Sequence, residues 1–254
     1  NDFWQQARSA LDAIKPVFML AEWENRDMHE HAFHASYAWS WNETMFGIAQ
    51  QKMSLDKLRK YYSFNQRAWP KEALRMTFVS NHDENAWEGT PDEKFADALP
   101  AAVVLSVLGS GFPLVHNGQE AGESKRLAFF ERDPIEWKAH PMKAFYTHLL
   151  GLRKQFSVLF NGEYGAQMEQ VPNTAMQEVF SFVREDAQSK WFMVFNFSNK
   201  ALSAKFKETL FVDEYTHLLK FKASQSEEGD YAIAQDYCAE LDAWEYRVFY
   251  KTKC

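Results

Sequence analysis

The first part of the chain alternates between helical and strand patterns of hydrophobic residues. Between Phe3 and Ile14, apolar residues recur at helical spacing behind a cap at Asn1 or Asp2. Pro16 breaks this helix, and the short apolar run Val17–Ala21 that follows is typical of a buried strand in a parallel sheet. The pattern therefore predicts a helix followed directly by a buried strand.

The same alternation continues to about residue 155. The predicted elements are a weak strand at His31–Tyr37, a helix at Leu55–Gln66, a strand at Leu74–Ser80, a helix from Pro91 that Pro100 restarts and that ends before Gly109, a strand within Gly111–Gly118, and a helix from Met142 to Phe156. Thr90, Pro91 and Glu93 form a clear start signal, with an N-cap, a proline at the first helical position and a capping box. Repeated strand–helix pairs of this length predict βα units around a parallel sheet.

After about residue 155 the pattern changes to short β-rich segments separated by turn residues. These segments are Val179–Arg184, Lys190–Phe197, Ala201–Phe206, Thr209–Leu219 and Trp244–Tyr250. The last one alternates as a half-buried strand does, apart from Phe249. Short strands at this spacing are typical of a small antiparallel sandwich. We therefore divide the chain into an α/β domain over residues 1–157 and an all-β sandwich domain over residues 158–254.

Composition narrows the class of partner. The net charge of -7 argues against a nucleic-acid partner, since phosphate binding needs an excess of Lys and Arg. The longest apolar run, Leu99–Leu108, contains a proline and is shorter than a membrane span, so no membrane partner is expected. Cys238 and Cys254 do not form a disulfide framework and leave the redox compartment open. Aromatic residues make up 16% of the chain, which suits either a Phe-rich core or a surface that stacks on sugar rings.

Two carboxylates follow predicted strands where a parallel barrel places its catalytic groups. Glu22 comes directly after Val17–Ala21, and Asp83 comes shortly after Leu74–Ser80. In a (β/α)8 barrel the carboxyl ends of the strands build the active site. Glycoside hydrolysis uses one protonated carboxyl for the leaving oxygen and another carboxylate at the oxocarbenium-like carbon. The alternative from spacing alone is that Glu22 caps a helix or joins a surface ion pair.

Three segments resemble the alpha-amylase family of glycoside hydrolases. Phe78–Asp83 (Phe-Val-Ser-Asn-His-Asp) resembles the family's FVxNHD motif, and Val17–Trp23 is similar to the segment that bears the general acid. Gly111–Glu120 resembles the stretch around the eighth strand. The resemblance covers essentially the whole chain. It implies an α/β fold, the second half of a (β/α)8 TIM barrel (about strands 5 to 8) followed by a small antiparallel β-sandwich, and a hydrolase acting on α-1,4-linked glucans such as starch, or on maltooligosaccharides.

The resemblance also implies roles for individual residues. Glu22 corresponds to the general acid/base, which has to carry a proton at the working pH, and Asp83 to the carboxylate that stabilises the transition state. His82 corresponds to a residue that hydrogen-bonds the same sugar. Asn81 is expected to orient the loop rather than to react.

Three further residues have a structural as well as a functional interpretation. Trp23 and Trp87 flank the two carboxylates in sequence, so they could stack on glucose rings or pack in the core. Glu120 stands at the end of a predicted strand and is expected to stabilise structure. No calcium ligands are identifiable, although many family members bind structural calcium, so no cofactor is assigned.

Two family segments are missing from the sequence. A segment of the form G-F-R-x-D-x-A, which carries the nucleophilic Asp, does not occur, and neither does the Asp-x-x-x-Asn-His motif. The helix at Phe3–Ile14 resembles the one after the fourth strand, so we expect the chain to be a C-terminal portion that starts just downstream of the nucleophile. A retaining mechanism without its nucleophile stalls, and we predict that the chain alone is inactive.

Two alternatives to a hydrolase remain open. A transglycosylase or branching enzyme uses the same fold and intercepts the intermediate with a sugar. A non-catalytic carbohydrate-binding protein would have kept the fold, but the acid and the Asn-His-Asp motif are intact here. Half a barrel also leaves two sheet edges and an apolar face open, so we expect either a homodimer or an upstream half that completes the barrel.

Overall fold

The computed structural model describes residues 2–221, 223 and 225–253. The predicted cap at Asn1 and the second cysteine, Cys254, lie outside the described residues. The helices are α1 (Asp2–Ile14), α2 (Arg26–His31), α3 (Trp39–Ala49), α4 (Leu55–Ala68), α5 (Pro91–Phe95), α6 (Leu99–Leu108) and α7 (Pro141–Gln155). The strands are β1 (Leu20–Ala21), β2 (Ala35–Tyr37), β3 (Leu74–Thr77), β4 (Phe112–Pro113), β5 (Glu169–Gln170), β6 (Val179–Glu185), β7 (Ser189–Asn196), β8 (Leu202–Lys205), β9 (Asp213–Lys220), β10 (Glu227–Ile233), β11 (Cys238–Leu241) and β12 (Tyr246–Thr252).

The first four strands form a parallel sheet in the order β1-β2-β3-β4. This confirms a parallel sheet over the first part of the chain, with one further strand between those that precede Glu22 and Asp83. The strand predicted at His31–Tyr37 is wrong over its first half, because residues up to His31 belong to α2 and pairing begins at Ala35. Within the described residues, β1 and β4 each have one neighbouring strand.

The strands of this sheet are shorter than their apolar runs. In Val17–Ala21 only the last two residues pair as a strand. At Met19 the carbonyl accepts from the amides of His34 and Ala35, but the amide donates to the imidazole Nδ1 of His34 (3.0 Å). In Gly111–Gly118 only Phe112–Pro113 pairs with β3. An apolar run therefore predicts where the sheet lies better than where its ladder ends.

The start signal at Thr90 is confirmed in full. Its hydroxyl accepts from the amide of Glu93 (3.2 Å), and the carboxylate of Glu93 accepts from the amide of Thr90 (2.8 Å). Pro91 is the first helical residue, and a new helix, α6, runs from Leu99 to Leu108 around the predicted restart. These signals depend only on neighbouring residues, so the sequence states them directly.

The second part of the chain is antiparallel. Six strands form one sheet in the order β10-β9-β12-β7-β6-β5, and β11 pairs with β8 in a separate two-stranded sheet. Alternate residues of the central strands face two different cores. Trp191 and Phe195 pack with the helices of the first part, whereas Phe192 packs with the two-stranded sheet. Phe249, the exception in the predicted alternation, belongs to that second core, so the strand is covered on both faces.

A buried arginine joins the two parts. The guanidinium of Arg184, on β6, donates to five backbone carbonyls from the end of α6 and from the connection between α7 and β5. These carbonyls belong to Leu108, Gly109, Leu159, Phe160 and Ala166. Burial, with a smaller repulsion from Arg153, lowers the pKa of Arg184 to about 9. The large apolar core likewise runs continuously from α3, α4 and α6 into β6, β7 and β12.

The surface near β1 carries large apolar side chains. None of residues 2–14, all of them described, is buried, although α1 presents an apolar face with Phe3, Leu11 and Ile14. Phe18 and Leu20 are exposed beside it. A free apolar stripe of this kind is unusual on a monomer. In the described part of the chain, no helix has the length and apolar character that crossing a membrane requires.

Candidate functional site

The structure brings Glu22, His82 and Asp83 together beyond the carboxyl ends of β1 and β3. The imidazole Nε2 of His82 lies 3.5 Å from Oε1 of Glu22 and 3.9 Å from Oδ2 of Asp83. One ligand atom from each of the three residues lies within 4.8 Å of the others. All three side chains are accessible, with exposed fractions of 52% for Glu22, 50% for His82 and 40% for Asp83. Two carboxylates and a hydrogen-bonding imidazole can therefore contact one ligand.

Asn81 fixes the turn that carries His82 and Asp83. The side chain of Asn81 is buried, and its Oδ1 accepts from the amide of Glu84 (2.8 Å). Its carbonyl accepts from the amide of Asn85 (2.9 Å), which opens a π-helical turn over Glu84–Glu88. Single π-helical turns are common at functional sites. These bonds hold Asn81 within the turn, and its role in orienting the loop stays a prediction.

A buried ion pair lies beneath the same turn. The ammonium of Lys94 pairs with the carboxylate of Glu84, the residue that follows Asp83, and lies 4.7 Å from the ring centroid of Phe46. Its Nζ also reaches Oδ1 of Asn42 at 3.5 Å. Burial lowers the pKa of Lys94 to about 8. Through Lys94, the ion pair links the turn to α3 and α5.

Tyr37 lies close enough to Glu22 and Asp83 for their charges to act on its hydroxyl, a proximity that the sequence did not reveal. Tyr37 ends β2, stacks on Trp39 (centroids 5.2 Å apart) and meets Phe78 edge-on (5.5 Å). Burial raises the pKa of Tyr37, and the charges of Glu22 and Asp83 raise it further. The available signal was the position of Tyr37 at the carboxyl end of a strand. Trp39 had no predicted role.

The segment after β4 contributes His116 and a tight turn. Burial lowers the pKa of His116, and the neighbouring His82 lowers it further. The carboxylate of Glu120 accepts from the amide of Gly118 (3.1 Å), whose φ of 99° favours glycine. Glu120 therefore holds the turn, as its structural interpretation predicted.

The two predicted stacking residues are both exposed, so neither packs in the core. Trp23 follows Glu22 directly, and Trp87 lies on the π-helical turn against Phe129 and Phe130 (centroids 5.4 and 6.2 Å). By contrast, Trp41 is fully buried and donates through its indole N–H to the Tyr62 hydroxyl (2.8 Å). Phe129 and Phe130 carried no sequence signal beyond their hydrophobicity.

The donor set at the carboxylates does not resemble a calcium site. Calcium takes six to eight oxygen ligands, whereas the cluster of Glu22, His82 and Asp83 offers two accessible carboxylates and an imidazole nitrogen. Over residues 2–221, 223 and 225–253 this is the one group of three or more His, Cys, Asp or Glu side chains close enough to share an ion.

No protein-family model and no curated protein sequence matches the chain. Solved structures do match it. A noncanonic maltogenic alpha-amylase from Thermotoga neapolitana has a TM-score of 0.77 and 18% identity over 100% of this chain and 59% of its own. A cyclomaltodextrinase has a TM-score of 0.77 and 15% identity over 98% of this chain and 43% of its own. An alpha-amylase from Geobacillus thermoleovorans, complexed with acarbose, has a TM-score of 0.74 and 15% identity over 98% of this chain and 56% of its own.

These similarities confirm at the level of the fold the resemblance that the three motifs predicted. They extend over nearly all of this chain but over only 43–61% of the matched structures. The chain therefore has the fold of alpha-amylase family glycoside hydrolases over roughly half of their length.

Proposed function

We propose that this chain is the C-terminal portion of a retaining α-glycoside hydrolase that acts on α-1,4-linked glucans or maltooligosaccharides. The observation that carries the proposal is the convergence of Glu22, His82 and Asp83 beyond neighbouring parallel strands. Carboxylates at this end of a parallel sheet suit glycoside cleavage. Two structural neighbours were solved in complex with acarbose and with maltose, which supports a saccharide as the substrate.

Glu22 is the proton donor in this mechanism. It protonates the glycosidic oxygen as the bond breaks and then takes a proton from the attacking water. A carboxylic acid stays protonated near neutral pH when its charged form is poorly solvated. With half of its side chain exposed, Glu22 relies on bound substrate and on neighbouring protein to exclude water.

Asp83 and His82 hold the reacting sugar. Asp83 accepts hydrogen bonds from sugar hydroxyls, which strengthen as positive charge develops on the ring. His82 lies between the two carboxylates and donates to the same sugar, while Asn81 keeps the turn in place. The nucleophile comes from a segment outside this chain, so the chain alone is inactive.

The proposal includes the finer architecture. The parallel sheet and its helices are strands 5 to 8 of a (β/α)8 barrel within residues 1–157, and residues 158–254 form the antiparallel sandwich. The exposed apolar face of α1 and the free side of β1 are then the surface that an upstream half, or a second copy of the chain, covers. Light scattering after size-exclusion chromatography tests the second form of cover, because a soluble, well-folded monomer contradicts a dimer and shows that the chain folds without an upstream half.

The decisive experiment compares maltooligosaccharide cleavage by this chain and by a form extended upstream through the nucleophile segment. We expect cleavage only by the extended form, with retention of anomeric configuration. Glu22→Gln and Asp83→Asn should each lower kcat by at least about a thousandfold. Glu163→Gln changes an exposed carboxylate remote from the site and should leave kcat unchanged.

The other outcomes separate the alternatives. Products longer than the substrate would identify a transglycosylase or branching enzyme. Binding without cleavage by the extended form would identify a carbohydrate-binding protein. Cleavage by the 254-residue chain itself would place the nucleophile among the residues present here.

A further inference from the structure

One buried polar network holds both ends of the segment that leads from β3 into the turn with Asp83. At the start of the segment, the side-chain amide of Asn42, on α3, donates to the carbonyl of Phe78 (2.9 Å). At its end, the ammonium of Lys94 pairs with the carboxylate of Glu84 and also reaches Oδ1 of Asn42 (3.5 Å). We call Asn42, Lys94 and Glu84 the polar bridge. It connects the residue that follows β3 with the residue that follows Asp83.

The polar bridge is shielded from water. The exposed fraction of the side chain is 4% for Lys94 and 14% for Glu84, and Asn42 is buried. The ring of Phe46 lies against the ammonium, 4.7 Å from Nζ to the centroid. Salt screens a buried ion pair much less than an exposed one, and removing one partner leaves an uncompensated buried charge. The position of Glu84 therefore depends on Lys94.

Local sequence signals place Lys94 next to the turn. The capping box of Thr90 and Glu93 starts α5, and Lys94 is the residue after Glu93. The backbone carbonyl of Lys94 accepts from the side-chain amide of Gln50, at the end of α3 (2.8 Å). Both α5 and α3 thus fix the backbone of Lys94, which gives its ammonium a fixed base from which to hold Glu84.

Neutral hydrogen bonds attach the same turn to a second segment. The buried side chain of Asn85 accepts from the amide of Leu127 (2.8 Å) and donates to the carbonyl of Lys125 (3.3 Å). Its own amide donates to the carbonyl of Asn81 (2.9 Å). None of these bonds involves Lys94, so they remain when the ion pair is removed. We therefore expect loss of Lys94 to displace the turn rather than to unfold the chain.

We propose that Lys94 is a positioning residue, which acts through Glu84 to set where the carboxylate of Asp83 lies relative to the reacting sugar. The inference rests on the proposed function and deepens it. Asp83 and Glu84 are adjacent, so a displacement of Glu84 moves the backbone of Asp83 as well. Misplacing a reacting group by about 1 Å can cost about a hundredfold in rate. Lys94 also neutralises Glu84, which then adds no net charge beside Asp83.

The first test measures kcat and KM for maltooligosaccharide cleavage by the form extended upstream. We expect Lys94→Met to lower kcat about ten- to a hundredfold and to leave KM within about threefold of the wild type, because Asp83 acts mainly on the transition state. Combining Lys94→Met with Glu84→Gln removes both charges, so the urea midpoint should recover. The kcat of this double variant should stay low, since nothing then holds the turn in place.

Lys251→Met is the matched control for loss of an ion-paired lysine. Lys251 lies on β12 in the antiparallel part, is largely covered, and pairs with Asp213. Its replacement should lower the urea midpoint without changing kcat. The comparison separates a loss of stability from a loss of position at Asp83.

The second test needs no activity and uses the 254-residue chain. Hydrogen exchange is followed by mass spectrometry in peptides that cover residues 78–89. Within this turn the amide of Asn85 bonds the carbonyl of Asn81, and the amide of Gly89 bonds that of Glu84. We expect these peptides to exchange at least about tenfold faster in Lys94→Met, while peptides of the antiparallel part keep their rates.

Three results would overturn the inference. Wild-type kcat in Lys94→Met would show that Asp83 does not depend on this lysine. Recovery of kcat together with the urea midpoint in the double variant would leave Lys94 with a structural role alone. Exchange that stays unchanged, or that rises evenly over the whole chain, would show that the polar bridge does not hold the turn. An extended wild type that does not cleave contradicts the proposed function instead, and faster exchange at the turn would still support the polar bridge.

Discussion

The parallel and antiparallel sheets differ in how fully this chain covers them. Strands β6 and β7 of the antiparallel sheet are buried on both faces, by helices on one side and by the small β8–β11 sheet on the other. The parallel sheet has short outer strands, and the helix next to its first strand has no buried residue among positions 2–14. One part therefore supplies its own core, while the other part leaves apolar surface for something else to cover.

The difference shows where stability and function lie in the chain. The candidate catalytic residues, Glu22, His82 and Asp83, all belong to the incompletely covered part, close to its open side. The antiparallel part is built around buried aromatic pairs such as the stacked Trp191 and Tyr250 rings (4.1 Å). Arg184 connects the two, so the complete part is positioned to stabilise the incomplete one.

The largest expected effect on stability comes from removing Arg184, which connects the two parts. Arg184→Ala leaves five backbone carbonyls without their donor and opens a cavity between the two parts. We expect the free energy of unfolding to fall by about 3–5 kcal/mol, measured by urea titration. The control is Arg26→Ala, an exposed arginine in a surface pair with Glu30, which should cost less than about 1 kcal/mol. A small loss in Arg184→Ala would mean that the two parts do not depend on this residue.

A second prediction concerns how the stability of the parallel part depends on pH. His29, on α2, bonds Ser36 (2.8 Å) and meets the Trp69 ring edge-on. Burial, with repulsion from Arg75, lowers the pKa of His29 from 6.5 to about 4. Between these values the unfolded chain binds a proton that the folded chain does not, so the free energy of unfolding decreases as the pH falls through this window.

His29→Gln removes this proton uptake and keeps a partner for Ser36. We expect the urea midpoint of the variant to depend less steeply on pH between about 6.5 and 4 than that of the wild type. His31→Gln, on the same helix but exposed, is the matched control for loss of an imidazole. Parallel slopes for wild type and His29→Gln would show that the buried histidine does not couple to folding.

The smallest effect on stability is expected on the exposed apolar face of α1. The side chain of Ile14 is 83% exposed, so Ile14→Ser should change the free energy of unfolding of this chain by less than about 0.5 kcal/mol. In a form extended upstream, the same substitution should become destabilising, because the residue is then covered. An equal, small effect in both forms would mean that the face of α1 stays open in the longer protein.

Local signals predicted the parts of the fold that neighbouring residues determine. The capping box at Thr90 and the restart near Pro100 are both correct. Helix α3 was missed because Trp41, Met45 and Ile48 are buried together with its polar positions, so no amphipathic period is visible. Strand β10 was missed for the opposite reason, since its Glu- and Gly-rich edge sequence lacks an apolar pattern.

The candidate site was predictable to the extent that it is contiguous in sequence. Glu22, His82 and Asp83 stand in recognisable segments directly after strands, and the structure places them together. Tyr37 and Phe130 become part of the same region only through the parallel pairing of strands and the bonds of Asn85. No pattern of neighbouring residues encodes such convergence.

The difference in cover between the two parts can be followed by tryptophan fluorescence. The four exposed ones, Trp4, Trp23, Trp87 and Trp137, all precede the antiparallel part, whereas Trp191 and Trp244 within it are buried. Water-exposed indoles emit at longer wavelengths and are quenched by dissolved iodide, and buried indoles are protected. Iodide quenching therefore reports on the exposed indoles of the first part, so their covering by another chain can be followed without a label, while the protected emission comes from Trp41 as well as from Trp191 and Trp244.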